Sequence, residues 1–197
     1  MIKEYNFNDL IGSIWQLGLC FFCQATLAQS IEASQADYDR VVFAGGCFWH
    51  LDSAFTKVKG VVSTQVGFTG GQTPFPQYRQ VASGTSGHVE AIQVVFDTKQ
   101  VSYTELIVYF LDFHNPTYPY RQTPGPGAQY QSIIFYRDST HYKIAKEILQ
   151  KVQKSGKYTL RIQTKVQKVS PFYPAEAYHQ KYLDKKHQRC PAMNSGN

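Results

Sequence analysis

The sequence predicts a single layered domain of the α/β (α+β) class, and three observations support this prediction. Short apolar runs typical of strands alternate with segments whose apolar residues recur at helical spacing. The chain has 197 residues, of which 43% are hydrophobic, and one domain of this size can bury a core. No internal repeat is visible in the chain, so we expect one domain and not an array.

The same patterns predict the individual elements. Strands are predicted at residues 41–44, 61–68, 89–96 and 132–136, and over the alternating residues 160–167. Helices are predicted from Phe48 to about Gly60, after the capping box of Ser102 and Glu105, over 139–155 with Ser139 as the cap, and over 174–186. Residues 69–87 and 115–129 are predicted as two long loops, and loops of that length are often functional.

The first 28 residues are predicted to be an export signal. Residues 11–28 are mostly apolar and end in Thr26-Leu27-Ala28, where a signal peptidase reads small residues. The apolar core is too short for a comfortable membrane span, so we expect no stable membrane insertion after cleavage. A misassigned start and an uncleaved anchor remain the alternatives.

Removal of the signal would leave a polar linker at 29–39 and a catalytic domain with a C-terminal tail at 40–197. We expect export, to the periplasm in a bacterium, or a cytoplasmic location if the segment is not a signal. Residues 137–197 carry 13 Lys and Arg against 4 Asp and Glu. An anionic partner would fit that charge, but no basic run has interleaved aromatics, so we favour a solvated basic face and expect no nucleic-acid partner.

Cys47 is the first candidate for chemistry because it lies between Gly46 and Phe48 at a predicted strand-to-helix turn. Backbone N–H groups and the positive end of the helix dipole would stabilise a thiolate there, although a buried, inert cysteine is the alternative. The mature chain would keep one other cysteine, Cys190, in a polar, cationic tail where a thiol is reactive. Two cysteines are too few for a disulfide scaffold, and we expect no metal site because no Cys/His cluster has the right spacing.

Glu90 is the second candidate. Period-two alternation in strand 89–96 puts it on the face of the apolar residues, where its pKa should be raised and it could donate a proton near neutral pH. A Glu90 that turns back to water or forms a buried salt bridge is the alternative. His88 is two residues before Glu90 and so lies on the same face of the strand. A lone histidine there more often has a structural role. Tyr78 and Tyr130 lie in the two predicted loops, where their hydroxyls could bind a substrate oxygen, but the chain has 14 tyrosines.

Seven segments together resemble the A class of peptide methionine sulfoxide reductases, which act on the S epimer of the sulfoxide. The first is short, but all seven follow the order that the family has, over about Val41 to Cys190. They are Gly46-Cys47-Phe48-Trp49, Val66-Gly67-Phe68-Thr69-Gly70-Gly71, Gly87-His88-Val89-Glu90-Ala91, His114-Asn115-Pro116-Thr117, Arg121-Gln122, Gln129-Tyr130-Gln131-Ser132, and Tyr173-Pro174-Ala175-Glu176 with Tyr178-His179-Gln180.

The resemblance implies a role for each candidate residue. Cys47 would attack the sulfoxide sulfur and become a sulfenic acid. Glu90 would protonate the sulfoxide oxygen, which the two tyrosines would hold. An apolar pocket for the methyl group would be formed by Phe48 and Trp49, and the substrate-binding set is completed by Gly46 and His88.

The resemblance also implies the rest of the cycle and the fold. Cys190 would resolve the sulfenic acid as a Cys47–Cys190 disulfide, which thioredoxin or another dithiol would reduce, without a metal or organic cofactor. Oxidised proteins and free methionine sulfoxide are the implied substrates, and protein repair under oxidative stress is the implied role of a monomeric enzyme. The implied fold is a two-layer sandwich around a mixed β-sheet with a ferredoxin-like core, long loops and an irregular C-terminal tail.

The chain departs from the family pattern at several positions. Gly125 stands where the family usually has an aspartate before Gln-Tyr, and the usual Gly-Tyr before Cys190 is missing. Gly125 motivates one alternative, a degenerate homologue that binds oxidised methionine but turns over weakly. A second alternative is a cysteine hydrolase that uses Cys47 and His88, but no acid to orient His88 is evident.

Overall fold

A computed structural model describes residues 37–118 and 127–186. The predicted export signal, most of the predicted linker, Gly125 and Cys190 lie outside these residues. The elements in chain order are β1 (Tyr38–Ala44), α1 (Phe48–Phe55), β2 (Val61–Thr69), α2 (Tyr78–Ala82), β3 (Val89–Asp97), α3 (Tyr103–Phe113), a 3-10 turn (Ala128–Tyr130), β4 (Ile133–Tyr136), α4 (Ser139–Lys154), β5 (Lys165–Lys168), β6 (Tyr173–Pro174) and α5 (Tyr182–Lys186).

The strands form one mixed sheet in the order β5-β4-β1-β3-β2-β6. β4 is antiparallel to β1 and parallel to β5, and β2 is antiparallel to both β3 and β6. The four central strands and the helices α1 and α3 follow one another as β-α-β-β-α-β with the strand order 4-1-3-2, which is the ferredoxin-like arrangement. The predicted fold class is therefore confirmed.

The main core lies between one face of the sheet and helices α1, α3 and α4. Alternation along β1 sends Val41 and Phe43 into this core and Val42 and Ala44 to the opposite face. The ring of Phe43 stacks on Phe110 of α3 at 4.9 Å between centroids. A smaller cluster on the opposite face is packed by loop residue Phe172. Among residues 37–118 and 127–186, no helix is both long and apolar enough to span a bilayer.

The predicted starts of two strands and the predicted cap of one helix are wrong. β1 begins at Tyr38, inside the predicted linker, and the Asp39 side chain next to it forms an ion pair with Arg137. β5 begins at Lys165 and not at residue 160, because the N–H groups of Ile162 and Gln163 bond to groups outside the sheet. The capping residue of α4 is not Ser139 but its neighbour Asp138, whose carboxylate accepts from the His141 N–H.

Two further predictions, one of a loop and one of a helix, are wrong. The first predicted long loop contains helix α2, which a capping box of Gln77 and Gln80 opens. The predicted last helix is instead strand β6, a turn and the short α5. Pro174 pairs with Gly67 of β2, and Lys181 has a φ of 54°, a left-handed conformation that a continuous helix cannot contain.

Candidate active site

Two glycines place Cys47 at the start of α1. A Cβ on Gly45 would lie 2.6 Å from the Phe110 ring, so only glycine allows this close packing. Gly46 has a φ of 79° and donates its N–H to the Tyr130 carbonyl at 3.1 Å. Cys47 follows as the N-cap of α1 and is half-buried. The strand-to-helix turn predicted for this cysteine is present.

Glu90 lies beneath the first turn of α1 and is 1% exposed. Its Oε2 accepts a hydrogen bond from the Phe48 N–H at 3.0 Å, so the carboxyl group uses a donor at the helix start. Burial, and to a smaller extent the nearby Cys47, raise the pKa of Glu90 to about 8 against the opposing effect of the hydrogen bond from the Phe48 N–H. The carboxyl group is therefore protonated at neutral pH, as its apolar position predicts, and it forms no ion pair with any described residue.

Tyr130 completes a cluster around these two groups. It ends the 3-10 turn that follows Gly127, which has a φ of 92°. Burial raises the pKa of the Tyr130 hydroxyl, and Glu90, Tyr78 and Cys47 raise it further, so the four groups are close enough to influence one another. The hydroxyl stays protonated and can donate a hydrogen bond. Tyr78 opens α2, and its own N–H donates to a carboxylate oxygen of Glu176 at 3.1 Å.

The two aromatic residues after Cys47 pack among further rings. Phe48 is 1% exposed, and its ring centroid lies 5.2 Å from that of His179. The indole N–H of Trp49 donates to His179 Nδ1 at 3.0 Å, and Tyr182 stacks on the indole at 3.9 Å. Sequence reasoning did not single out His179 or Tyr182 for the site. His179 lay in a segment quoted for the resemblance, but no spacing linked it to Trp49.

An acidic residue of α1 holds this aromatic segment in place. Asp52 is 2% exposed, and its carboxylate accepts from the Lys181 N–H at 2.9 Å and from Lys181 Nζ at 2.8 Å. The amide of Gln180 bonds to both the N–H and the carbonyl of Val66 in β2. These contacts anchor residues 173–182 against α1 and β2 and bring the ring of His179 to Trp49.

His88 has a different role from the one a hydrolase needs. Its Nδ1 accepts from the Gly71 N–H at 3.2 Å, and its Nε2 lies 2.8 Å from the Thr73 carbonyl. Both ring nitrogens therefore bind the loop that follows β2, and neither is available to take a proton from Cys47. A cysteine hydrolase that used Cys47 and His88 would therefore lack a general base. The predicted contact of His88 with the substrate stays a prediction.

The ring of His114 lies next to the turn at Gly45, and its pKa is far below the usual value for histidine. One ring nitrogen lies 2.7 Å from the Phe110 carbonyl and the other 2.7 Å from Ser132 Oγ. Burial lowers the pKa of His114 to about 4, and the bond to Phe110 opposes this effect. The neutral ring therefore donates Nδ1–H to the carbonyl and accepts from the serine hydroxyl.

We expect His114 to make the fold sensitive to acid. Because its pKa is lower in the folded chain, the unfolded chain binds the proton between pH 6.5 and 4, so stability is lost as the pH falls through this window. The free energy of unfolding should fall by about 2–3 kcal/mol more in the natural chain than in His114→Gln. Urea unfolding at several pH values measures both slopes, and equal slopes would contradict the assignment.

The arrangement brings a thiol, a protonated carboxyl group, a phenolic hydroxyl and packed aromatic rings together at one helix start. The thiol is that of Cys47, the carboxyl group that of Glu90 and the hydroxyl that of Tyr130. Such a site suits attack on a polar oxygen-bearing group next to a small apolar substituent. Within the described part of the chain, no three or more His, Cys, Asp or Glu side chains are grouped to hold a metal ion.

Comparison with known proteins points to one family. The family model described as peptide methionine sulfoxide reductase matches residues 39–196. A relative from Methanococcoides burtonii, named peptide methionine sulfoxide reductase MsrA, is 44% identical over 147 residues, which are 75% of this chain and 96% of the relative.

Two solved structures resemble the chain. Methionine sulfoxide reductase A of Corynebacterium diphtheriae has a TM-score of 0.68 at 33% identity and covers 82% of this chain and 81% of its own. The reduced form of Mxr1 from Saccharomyces cerevisiae has a TM-score of 0.69 at 31% identity and covers 79% of this chain and 91% of its own.

Proposed function

The chain belongs to the peptide methionine sulfoxide reductase family, and from this membership we propose how its residues reduce methionine S-sulfoxide in the repair of oxidised proteins. The observation that carries the proposal is the contact between the start of α1 and Glu90. The N-cap Cys47 lies near a buried carboxyl group that keeps its proton at neutral pH. A thiol that attacks sulfur and an acid that protonates oxygen are the two groups this reaction needs.

In the first step the Cys47 sulfur attacks the sulfoxide sulfur. Glu90 gives its proton to the sulfoxide oxygen as negative charge develops there, and Tyr78 and Tyr130 donate hydrogen bonds to the same oxygen. The oxygen ends on the cysteine as a sulfenic acid, and methionine leaves as the thioether. The sulfoxide sulfur is reduced by two electrons, and the cysteine sulfur is oxidised by two.

The pocket beside Cys47 selects the substrate. The buried ring of Phe48 and the indole of Trp49 accept the methyl group of the sulfoxide, and the hydrogen bond to His179 supports the orientation of the indole. Gly46 brings the backbone close to the reacting atoms. Methionine S-sulfoxide, in polypeptides and as the free amino acid, is the proposed substrate.

The function is tested with the resolved S and R epimers of a peptide methionine sulfoxide and dithiothreitol as reductant. We expect methionine to form from the S epimer only. Turnover of neither epimer above that of Cys47→Ser would reject the reductase and favour a protein that only binds oxidised methionine.

The second half of the cycle is proposed to use Cys190. Its thiol condenses with the sulfenic acid of Cys47, which forms the disulfide and releases water, and a thioredoxin-type dithiol then reduces the disulfide. We expect Cys190→Ser to form one methionine per chain at an unchanged rate and then to retain a sulfenic acid on Cys47. Mass spectrometry after one turnover measures this, and a persistent sulfenic acid in the natural chain would contradict the assignment.

Export is proposed from the first 28 residues, with the periplasm as destination in a bacterium. A monomeric enzyme there would be recycled by a thioredoxin-like protein of the same compartment. N-terminal sequencing of the protein from the producing cell tests the proposal. A mature chain that starts near Gln29 supports export, and one that starts at Met1 contradicts it.

A further inference from the structure

A basic groove lies between one face of α4 and the segment that precedes β5. Its first wall is a stripe of α4 residues at helical spacing, and its second wall is the segment that leads into β5. The groove has a volume of about 470 Å³. It is lined by Lys146, Leu149, Gln150, Gln153, Lys154, Arg161, Ile162 and Thr164.

The second wall is held against α4 by one side chain. Gln153 accepts a hydrogen bond from the Ile162 N–H at 2.7 Å and donates to the Leu160 carbonyl at 3.4 Å. These bonds explain why residues 160–164 leave the sheet and instead run beside the helix. The groove is therefore a built feature of the fold and not a chance gap between side chains.

The groove carries positive charge that nothing in the described chain neutralises. Lys146, Lys154 and Arg161 are exposed at its rim, and none of them forms an ion pair with a described residue. None of the described residues that line the groove carries a carboxylate. The nearby pair of Lys157 and Asp112 is already matched. A ligand that enters the groove would bring the missing negative charge.

The floor of the groove is apolar and its sides offer amides. Leu149 and Ile162 are half-buried there, and the exposed amide of Gln150 can bond to a polypeptide backbone. No aromatic side chain from residues 37–118 or 127–186 lines the groove, and single-stranded nucleic acids need such side chains for base stacking. This combination of apolar floor, amides and cationic rim suits a polypeptide with acidic side chains.

We propose that this groove is a docking site for an acidic, extended segment of a polypeptide. Lys146 and Lys154 are eight residues apart on α4, which corresponds to about 12 Å along the helix axis. In an extended peptide, side chains four residues apart lie on one face and about 13 Å apart. The segment that fits best therefore has acidic residues at positions i and i+4 with an apolar residue between them.

A binding experiment tests the site without any reductase activity. A fluorescein-labelled peptide without methionine carries Glu at i and i+4 and Leu at i+2, and a second peptide replaces both Glu by Gln. Fluorescence anisotropy at low salt should show binding of the acidic peptide and at least about fivefold weaker binding of the Gln peptide. Raising the salt concentration to about 0.4 M shortens the range over which charges interact, so it should weaken the binding of the acidic peptide more than that of the Gln peptide.

A pair of matched variants assigns the binding to the groove. K146Q/K154Q/R161Q should weaken binding of the acidic peptide about tenfold, because the three exposed cations that attract its two Glu side chains are lost. R40Q/K57Q/K59Q removes the same residue types from exposed positions outside the groove and should change little. K146E/R161E should in turn prefer a peptide with Lys in place of Glu. Circular dichroism checks that all variants are folded.

Three results would overturn the proposal. Equal weakening by both triple variants would mean that only the net charge attracts the peptide. Equal affinity for the Glu and Gln peptides would mean that the charge of the groove has no role. Tighter binding of a twelve-nucleotide single strand, lost in K146Q/K154Q/R161Q, would make the groove a nucleic-acid site.

The consequence for catalysis rests on the proposed function and is measured separately. For a sulfoxide peptide with the acidic segment, K146Q/K154Q/R161Q should raise KM and leave kcat unchanged. The same variant should not change kcat/KM for free methionine sulfoxide. If binding is lost in the variant but neither substrate is reduced by the natural chain, the proposed function fails and the docking site stands.

Discussion

Replacing Cys47 with serine is expected to abolish methionine sulfoxide reduction, with a loss of about 10⁴-fold or more, as is typical when an enzyme loses its nucleophile. A hydroxyl at the helix start is a far weaker nucleophile than a thiolate. The oxygen atom of the sulfoxide also has nowhere to go, because transfer to serine would create a peroxide. Both reasons concern the reaction, so the fold should be unaffected by this change of one atom.

The measurement is methionine formed from the S-sulfoxide peptide in a single turnover, which removes any dependence on the recycling dithiol. Cys190→Ser is the matched control, since it removes a thiol from the same chain and should keep the first turnover. Residual activity of Cys47→Ser within tenfold of the natural chain would mean that another group attacks the sulfoxide.

Glu90→Gln is expected to slow the reductase step by about 10² to 10⁴-fold, the usual contribution of a positioned acid. The amide oxygen can still accept the N–H of Phe48, so the start of α1 should keep its geometry. The amide can donate a hydrogen bond to the sulfoxide oxygen but cannot give it a proton. Single-turnover rates of both chains with the S-sulfoxide peptide measure the effect.

The pH profile separates this role from a structural one. The pKa of Glu90 is about 8 in the folded chain, so the natural rate constant should fall as the pH rises above about 8, where the proton is lost. Glu90→Gln should have a low rate constant at every pH, and that rate constant should not fall above about pH 8. Proton donation by Glu90 would be contradicted by a rate constant of the natural chain that is constant from pH 6 to 10. It would also be contradicted by a Glu90→Gln rate constant that falls in the same way above about pH 8.

The same substitution should stabilise the fold. The pKa of Glu90 is higher in the folded chain than in the unfolded chain, so the stability it contributes is present at low pH and is lost as the pH rises toward 8. At pH 7 the uncharged glutamine should therefore raise the free energy of unfolding by about 1–3 kcal/mol. A variant that is both more stable and nearly inactive cannot owe its inactivity to unfolding.

The fold was predictable where local pattern and tertiary packing agree. Apolar residues over 61–68 and 89–96 predicted β2 and β3, and the alternation in β3 sends Ile92, Val94 and Phe96 into the main core. The capping box of Ser102 and Glu105 predicted the start of α3, and the structure confirms both of its hydrogen bonds. Prediction failed over 160–164 and 174–181, where the N–H groups of Gln163 and Lys181 bond to Pro116 and Asp52 in distant parts of the chain.

The candidate site was predictable in part for the same reason. Cys47 and Glu90 each had a local signal, a strand-to-helix turn and an apolar strand face. The burial and raised pKa expected for Glu90 are confirmed. No local signal identified His179 or Asp52, because each acts through a partner more than 100 positions away, Trp49 and Lys181 respectively.

By itself the sequence determined the α/β class and the family, and it marked Cys47 and Glu90 as candidate reactive groups, because periodicity and short motifs are local properties of the chain. Only the tertiary structure decided what surrounds those groups. In the structure the Phe48 N–H donates to Glu90, both ring nitrogens of His88 bond to a loop, and residues 160–164 run along α4. Each of these outcomes depends on a partner that lies outside the repeat of a single helix or strand, and folding brings such partners together.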